Sequence, residues 1–332
     1  MTRPVLVTGG AGFVGSHLVD ALLARGTPVR VLARPTTDTR FLDRARVTLA
    51  NGDVGEATPE AEEALVRAAA GTRIVFHVAG ITQARRLEDY DRVNAGGSAR
   101  MARAAARAGA SAFVLVSSQA AAGPAPAGRA RTELDPDEPV SAYGRSKLAG
   151  EREAAQALAR SGIRLAIVRP PSVYGPRDRA FLELFRLVAR GIAPFPAGEG
   201  QQLSIVHARD LASGIVAAAD RAPDGGLYYV ADGQEHTAGE VVDAMARALR
   251  KKPLRVALPF GILTVLAKGA EAWSAWTGAP ARLTRERLRE WGAPRWTVSD
   301  ERARRELGYA SAVALEAGIE ETAHWYRTAG WI

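Results

Sequence analysis

The chain has 332 residues, of which 47% are apolar and 24% are charged, and its formal net charge is +8. These values are ordinary for a globular protein and argue against wholesale disorder, a collagen-like fibre and a coiled coil. The sequence contains no cysteine, which excludes disulfides, a thiolate nucleophile and a cysteine-built metal site. The length fits two domains or one large α/β unit.

The positive charge is carried almost entirely by arginine: of 44 basic residues, only Lys147, Lys251, Lys252 and Lys268 are lysines. Nucleic-acid-binding proteins concentrate charge on one face or in a tail, whereas these arginines are spread along the chain, so we expect no nucleic-acid partner. We also expect no secretion signal, and no apolar run reaches the about 18 residues of a membrane span. A cytoplasmic protein is the expectation, with association to a membrane surface as the less favoured alternative.

The first half of the chain alternates short apolar runs with helical patterns. The runs are rich in Val, Leu and Ile and show little alternation, which is typical of strands buried on both faces. The predicted strands are 4–8, 29–33, 47–49, 74–78, 113–117 and 165–168, and the predicted helices are 12–25, 59–70, 89–108 and 143–161. This alternation predicts an α/β fold with a doubly wound parallel sheet of the Rossmann type.

After residue 176 the pattern becomes mainly helical. A strand at 203–207, a helix ending at 220 and a strand at 227–230 could rejoin the sheet. The predicted division is a dinucleotide-binding Rossmann domain over 1–176 with 204–232 returning to it, and a smaller, mainly helical substrate-binding region over 177–203 and 233–332.

Two helices of this second region have recognisable ends. Thr237 and Glu240 form a capping box, which predicts a helix to about residue 250. Ser299 is a candidate cap for a helix that Gly308 would close. The apolar stretch 256–267 is expected to be a buried helix or a pocket wall rather than a membrane-surface helix.

The first predicted strand runs directly into a glycine-rich segment, TGGAGFVG at residues 8–15. A diphosphate needs exposed backbone N–H groups at a helix N-terminus, and side chains would block its approach, so glycines suit both requirements. Gly10, Gly12 and Gly15 fit one fingerprint, and Gly9, Gly12 and Gly15 fit a three-by-three spacing. Because the segment lies between a strand and a helix, it predicts binding of a dinucleotide.

The end of the second predicted strand bears on which dinucleotide is bound. NAD-binding proteins usually carry an acid about 20 residues after the glycines, where it holds the adenosine ribose 2′-hydroxyl. Arg34 stands there instead. Because an arginine suits a 2′-phosphate, the sequence favours NADP over NAD.

Tyr143 and Lys147 are the strongest catalytic candidates. They are four residues apart, so on a helix they share a face. A free phenol has a pKa near 10, and a nearby ammonium favours the anion, so the pair could exchange a proton with an alcohol or a carbonyl. Ser117 and Ser118 follow a predicted strand, at the edge where parallel sheets bind ligands.

These motifs occur together with others in an order that resembles one known family. They are the glycine segment, 52–53, 76–80, Asn94, 116–118, 143–147, 169–170 with 173–176, 206–207 with Asp210, and 306–309. The chain resembles the extended short-chain dehydrogenase/reductases, the NAD-dependent epimerase/dehydratase group, over nearly its whole length. The resemblance implies that Tyr143 is the acid/base and that Lys147 holds the nicotinamide ribose and lowers the tyrosine pKa. Ser118, favoured over Ser117 by its spacing from Gly123, would bind the reacting oxygen.

The resemblance also implies a dinucleotide site, to which the residue pattern adds Arg34. Its members are Gly9, Gly12, Phe13, Val14, Gly15, Arg34, Asp53, Val54, Ala79, Gly80, Asn94, Tyr143, Lys147, Pro170 and Val173. Asp53 and Val54 would flank the adenine, and Pro170 and Val173 would contact the nicotinamide end. The five histidines show no metal-ligand spacing, so we expect no metal.

The chain departs from the family's nucleotide-sugar enzymes at two places that bind the sugar diphosphate. Ser172 stands where an asparagine is common, and 200–204 lacks an arginine. The sequence looks closer to the hydroxysteroid-dehydrogenase-like and flavonoid-reductase-like branches, which act on apolar molecules. The 256–267 stretch, Trp273 and Trp276 suit an apolar pocket, with helix core as the equal alternative.

The leading interpretation is therefore an NADP-preferring oxidoreductase that moves a hydride between the nicotinamide and a carbonyl or secondary alcohol. The alternatives are an NAD-retaining nucleotide-sugar epimerase or dehydratase and a non-catalytic dinucleotide sensor. The resemblance implies a homodimer through the predicted helices 89–108 and 143–161. The row of Ala104, Ala105 and Ala106 would permit close approach of helices there.

Overall fold

The computed structural model describes residues 3–84, 86–257, 260–277 and 284–332. Its strands are β1 (Val5–Thr8), β2 (Val29–Ala33), β3 (Val47–Asn51), β4 (Ile74–His77), β5 (Ala112–Val116), β6 (Arg164–Arg169), β7 (Ser172–Tyr174), β8 (Ile192–Phe195), β9 (Gln202–Leu203), β10 (Ile205–His207), β11 (Gly226–Tyr229), β12 (His236–Thr237), β13 (Leu254–Ala257) and β14 (Arg295–Trp296).

The helices surround these strands on both sides. They are α1 (Phe13–Ala24), α2 (Pro59–Ala69), α3 (Leu87–Tyr90), α4 (Gly96–Arg107), α5 (Ala142–Leu158), α6 (Ala180–Ala189), α7 (Ala208–Arg221), α8 (Ala238–Leu249), α9 (Phe260–Thr277), α10 (Arg285–Gly292), α11 (Glu301–Leu307) and α12 (Leu315–Thr328).

Seven parallel strands form the central sheet in the order β11-β6-β5-β4-β1-β2-β3. Successive residues of a strand point to opposite faces, so Val5 and Val7 pack into one core with α1 and α7, and Leu6 packs into another with α2, α4 and α5. Both faces are covered, which confirms the doubly wound α/β fold and explains why the strands read as continuous apolar runs. The order reverses beside β1, and ligands bind at such a switch point.

The predicted helix over 89–108 is instead three elements. Between α3 and α4 lies a π-helical turn, Asp91–Ala95. Asn94 lies in this turn, and its buried side chain bonds the backbone of Ile81 and the hydroxyl of Ser146. Wide turns of this kind are often found at functional sites, and sequence periodicity gives no signal for them.

The predicted strand over 203–207 does not rejoin the central sheet. It is divided at Ser204, whose N–H donates to the carbonyl of Trp296 and whose Oγ accepts from the N–H of Val298. As a result β9 pairs with β12 and β14, and β10 pairs with β7. Only α7 and β11 return to the sheet, as its cover and its edge strand.

A third core, built from α6, α8 and α12, lies in the second half of the chain around the buried rings of Phe185 and Tyr326. The capping box of Thr237 and Glu240 is present. Helix α11 is preceded directly by Asp300 and not by the predicted cap Ser299, although the Ser299 hydroxyl accepts a hydrogen bond from the N–H of Glu301. Gly308 ends the helix, with φ 59°.

The apolar stretch 256–267 was expected to be a buried helix or a pocket wall, and this is wrong for most of its helical part. In α9, Leu263 and Ala267 are buried, but Ile262, Val265 and Leu266 are exposed. Periodicity predicted the helix and not which side faces water, and residues 258–259 of the stretch lie outside the described residues. None of the described helices is long and apolar enough to span a membrane.

Candidate active site

The segment between β1 and α1 folds into a tight glycine turn. Gly9 has φ +67°, and a Cβ there would lie 2.7 Å from the backbone nitrogen of Ala79. A Cβ on Gly15 would overlap the carbonyl oxygen of Gly9, so the helix packs against the turn only without a side chain. No side chain caps α1 at Gly12, which leaves N–H groups of its first turn for an anionic ligand.

The loop after β4 continues this surface along the sheet edge. The N–H of Ala79 donates to the Thr8 hydroxyl at 3.1 Å. The side-chain amide nitrogen of Asn94 donates to the carbonyl oxygen of Ile81 and to the hydroxyl of Ser146, each at 3.0 Å. Asn94 therefore holds this loop against α5, and its part in a dinucleotide site would be to position its neighbours.

The predicted catalytic residues come together beyond the end of β5. Tyr143 and Lys147 lie in the first two turns of α5, whose N-terminus is capped by the hydroxyl of Ser141. Ser118 and Tyr143 line the same cavity. Ser117 does not line that cavity, and its buried hydroxyl has no hydrogen-bond partner among the described residues.

Burial dominates the electrostatics of the two titratable residues. It raises the pKa of Tyr143 to about 12; the Ser118 hydroxyl opposes this rise, and the nearby Glu290 adds to it. Burial lowers the pKa of Lys147 to about 8, against the opposing effect of Glu151. The Lys147 ammonium donates to the carbonyl of Val116 at 2.8 Å. The pKa of Tyr143 is therefore raised in this structure, whereas the spacing to Lys147 had predicted a lowering.

A buried ion pair fixes α5 to the sheet. Arg169, 3% exposed at the end of β6, donates to the carboxylate of Glu151 on α5 at 2.6 and 2.9 Å. It also forms a two-bond pair with Asp137 at 2.6 and 3.0 Å. These bonds set the position of the helix that carries Tyr143.

The cavity in front of Tyr143 has a volume of about 420 Å³. Its apolar side chains come mainly from the second half of the chain: Phe181, Leu184, Pro194, Phe195, Pro196, Leu203, Val241, Val242 and Trp296. Both departure positions, Ser172 and Gln201, also line it. Among the described lining residues Glu290 is the one charged group, and none is basic.

Glu290 is a site residue that sequence reasoning missed. It lies on α10, and its carboxylate accepts a hydrogen bond from the Ser141 hydroxyl that caps α5. Its backbone carbonyl accepts from the indole N–H of Trp296 at 2.6 Å. In the sequence it stands in an arginine- and glutamate-rich stretch, which gives no sign that one carboxylate faces a cavity.

Arg34 and Asp53 lie side by side beyond the ends of β2 and β3. Arg34 is exposed, and its guanidinium is 3.7 Å from the Asp53 carboxylate. Asp53 also accepts from the N–H of Gly55, which fixes the loop after β3. Val54 is buried, and its carbonyl accepts two bonds from Arg100. This edge thus offers both a cation and a carboxylate to a ribose.

The nicotinamide end of the predicted site lies where β6 gives way to β7. The carbonyl of Pro170 accepts from the N–H of Gln119, the residue after Ser118. Val173 packs against the first core, and the two residues between it and Pro170 line the cavity. The chain therefore places these positions beside the catalytic candidates.

The residues fit a dinucleotide along this edge. A Cβ on Gly9 or Gly15 would meet backbone atoms, and one on Gly10 would meet the side chain of Val31, whereas a Cβ on Gly12 would have only the carbonyl oxygen of Gly9 within 4 Å. At the other end, a Cβ on Gly80 would lie 3.7 Å from the Lys147 ammonium, so this cation faces the same channel. No cluster of metal-ligating side chains occurs among the described residues.

A Rossmann sheet with a glycine turn at its switch point is the architecture of a dinucleotide-binding protein. The model of the NAD dependent epimerase/dehydratase family matches residues 5–231. The chain belongs to this family and is an NAD(P)-dependent enzyme of the extended short-chain dehydrogenase/reductase type.

Individual relatives match the chain over nearly its whole length. The chain is 38% identical to the ceramide reductase of Caulobacter vibrioides, over 99% of this chain and 96% of that protein. It is 30% identical to the 4-hydroxy-2-methyl-3-oxo-4-farnesyl-3,4-dihydroquinoline-1-oxide ketoreductase of Stigmatella aurantiaca, over 95% and 94%. The structure of the Thermus thermophilus UDP-glucose 4-epimerase in complex with NAD matches with a TM-score of 0.78 at 27% identity, covering 98% and 99%.

Proposed function

We propose that this protein is an NADP-preferring ketoreductase whose substrate is an uncharged, largely apolar molecule. The cavity in front of Tyr143 carries the proposal. A sugar nucleotide brings two negative phosphates, which need cations or many N–H donors once they leave water. The described lining offers no basic residue, so a diphosphate would leave water there without gaining a cation. An apolar substrate gains from the same lining by burying its surface.

The relatives point in the same direction. Two of them are a ceramide reductase and a ketoreductase of a farnesylated quinoline oxide, and both names refer to molecules with long hydrocarbon parts. The UDP-glucose 4-epimerase is matched at lower identity than the ceramide reductase.

The proposed roles follow the geometry of the three catalytic candidates. The bound dinucleotide supplies the hydride to the carbonyl carbon. The raised pKa of Tyr143 keeps the phenol protonated at neutral pH, which is the form that donates a proton to the ketone oxygen. Ser118 holds that oxygen, and the Lys147 ammonium, below its pKa of about 8, would hold the ribose hydroxyls.

Arg34 supports the NADP preference within this proposal. Its exposed guanidinium stands beyond β2 and shares one long ion pair with Asp53, which is worth little at an exposed position. A 2′-phosphate would offer a stronger, two-bond partner. Calorimetric titration of both oxidised cofactors tests this preference. Tighter binding of NAD than of NADP would refute it, and Arg34→Asp should reverse the order.

A homodimer and a cytoplasmic location complete the proposal. The family resemblance supports pairing through α4 and α5, but the alanine row contributes little to it, because Ala104 and Ala105 are buried in the core of the subunit. Sedimentation at micromolar concentration should give a species of twice 35.2 kDa. A single 35.2 kDa species would contradict the dimer.

The substrate class is tested with purified protein, NADPH and a panel of detergent-dispersed long-chain ketones, steroid ketones and nucleotide sugars. We expect NADPH oxidation with the apolar ketones and none with Tyr143→Phe, which keeps the ring. Turnover of a nucleotide sugar without added dinucleotide would instead identify an NAD-retaining epimerase or dehydratase. A dinucleotide that binds without any turnover across the panel would favour the non-catalytic sensor.

A further inference from the structure

Helix α9 exposes apolar side chains where a helix on a protein surface normally exposes polar ones. Of the nine large hydrophobic side chains exposed among the described residues, five belong to this helix. They are Ile262 (55% exposed), Val265 (70%), Leu266 (55%), Trp273 (62%) and Trp276 (80%). The two indole rings contact each other edge to face at 5.4 Å. An apolar patch of this size is a binding surface or an aggregation hazard.

The five side chains form one stripe. At 100° per residue they fall within an arc of about 100°, and the stripe extends about 21 Å along the axis. The buried residues Leu263 and Ala267 lie on the opposite side, where they pack with Leu288 of α10. The side that faces water is therefore as apolar as the side that faces the protein, and core packing does not explain the stripe.

The strand that leads into α9 adds to the apolar surface. Leu254 of β13 is 70% exposed, and its partner in the β8–β13 pair is Ile192, which is 43% exposed. Seven of the nine exposed large hydrophobic side chains therefore lie on α9 or on the strand pair directly before it.

The chain segment that leads into the stripe is basic. Residues 244–270 contain six basic residues and no acid, and Glu271 follows them on α9 itself. Two of the six are neutralised, Arg247 by Glu316 and Arg255 by Glu199 and Asp243.

The other four basic residues of this segment are exposed and form no ion pair with a described residue: Arg250, Lys251, Lys252 and Lys268. Three of the four lysines in the chain belong to this group. Lys268 lies on α9 itself, and a basic residue beside an apolar stripe that contains tryptophans is typical of a helix that lies in a membrane interface.

We propose that α9 is a membrane-surface helix that binds a bilayer containing anionic phospholipids. The stripe would enter the acyl boundary, the two indoles would lie at headgroup level, and the unpaired cations would contact the lipid phosphates. A second copy of this chain is a poorer occupant, because a two-fold interface over the stripe would bring the same unpaired cations of both copies together.

This surface also connects to the cavity. Leu288, packed beneath the stripe, and Glu290, on the cavity wall, both lie on α10. A bilayer bound at α9 would therefore lie one helix away from the cavity, which suits delivery of a lipid ketone. This delivery role rests on the proposed function, whereas the binding of a bilayer does not.

Flotation of the full chain with vesicles, without substrate or dinucleotide, tests the binding. Vesicles of phosphatidylcholine with about one third phosphatidylglycerol should carry the protein upward, and phosphatidylcholine alone should carry much less. Trp273→Ala with Trp276→Ala should weaken binding by about tenfold or more, since the anchors are lost. The triple variant Lys251→Glu, Lys252→Glu and Lys268→Glu should remove the preference for phosphatidylglycerol. Leu134→Ala, which removes the most exposed leucine elsewhere (93%), is the matched control and should bind normally.

Three outcomes would overturn the proposal. The first is that the protein floats with neither vesicle. The second is that the double tryptophan variant floats as well as the wild type. The third is that the wild type does not float but self-associates, and that the double tryptophan variant no longer self-associates, which would identify a second copy as the occupant. The substituted tryptophans are exposed, so unchanged thermal unfolding checks the fold. The flotation assay contains no ketone, so its result does not depend on whether the proposed substrate class is correct.

Discussion

Replacing Lys147 by methionine should stabilise the protein while it removes dinucleotide binding. The ammonium is 7% exposed, and burial lowers its pKa from 10.5 to about 8. At about 1.4 kcal/mol per pH unit, keeping it charged at neutral pH costs about 3 kcal/mol. The variant also loses the bond to the Val116 carbonyl, worth about 1 kcal/mol net, so Lys147→Met should gain about 2 kcal/mol. Methionine keeps the length of the stem and fills the space.

The sign of the pH dependence makes this prediction specific. A folded-state pKa below the unfolded value means that the folded protein releases this proton first. The free-energy cost of burying the Lys147 charge is fully present below about pH 8 and disappears as the pH approaches 10.5. Urea unfolding at pH 7 and at pH 9.5 should therefore show the stability difference between Lys147→Met and the wild type shrinking. The exposed Lys251→Met is the control and should show no such trend. A less stable Lys147→Met at pH 7, or a difference independent of pH, would refute the reasoning.

Three further substitutions probe the site. Tyr143→Phe should lower turnover by about 10²–10⁴-fold with unchanged calorimetric affinity for the dinucleotide, and near-normal turnover would disprove the acid/base role. Gly15→Ala should lower the free energy of unfolding, measured in urea, by about 1–3 kcal/mol and abolish dinucleotide binding, because the new Cβ overlaps the Gly9 carbonyl. The control Gly200→Ala, where the Cβ has open space around it, should change neither quantity. Glu290→Gln should lower the pKa of Tyr143, so the pH profile of alcohol oxidation should move to lower pH, and an unmoved profile would exclude an effect of this carboxylate on the phenol.

The parts of the fold that follow local rules were predictable from the sequence. Strands buried on both faces are continuous apolar runs, and the capping box at Thr237 satisfies N–H groups within four residues, so both were visible in the chain. The π-helical turn was not, because its cause is the packing of Asn94 against residues 13 and 52 positions away. The pairing of β10 with β7 likewise depends on bonds from Ser204 to residues more than 90 positions distant.

The candidate site divides in the same way. The placement of Ser118 and Tyr143 follows from strand ends and helix spacing, which a sequence shows directly. Glu290 could not be found, since a glutamate between arginines looks the same whether it faces water or a cavity. The pKa of Tyr143 could not be found either. The spacing to Lys147 indicated a lowered pKa, but burial of the phenol, which only the tertiary structure defines, raises it.

The net charge of +8 does not by itself say what the excess positive charge binds, but the distribution of the charged residues bears on this question. A basic chain could use its excess to hold an anionic substrate, but the described lining of the cavity holds a carboxylate and no cation. Four exposed cations without an ion pair to a described residue, Arg250, Lys251, Lys252 and Lys268, belong instead to the segment that leads into and forms α9, whose apolar stripe lies on the outside of the molecule. Charge that served a nucleotide sugar would have to lie within the cavity, where it would neutralise phosphates out of water. Under the two proposals, the cations beside α9 would attract an anionic bilayer, and the cavity without a described cation would take an uncharged molecule such as a lipid ketone.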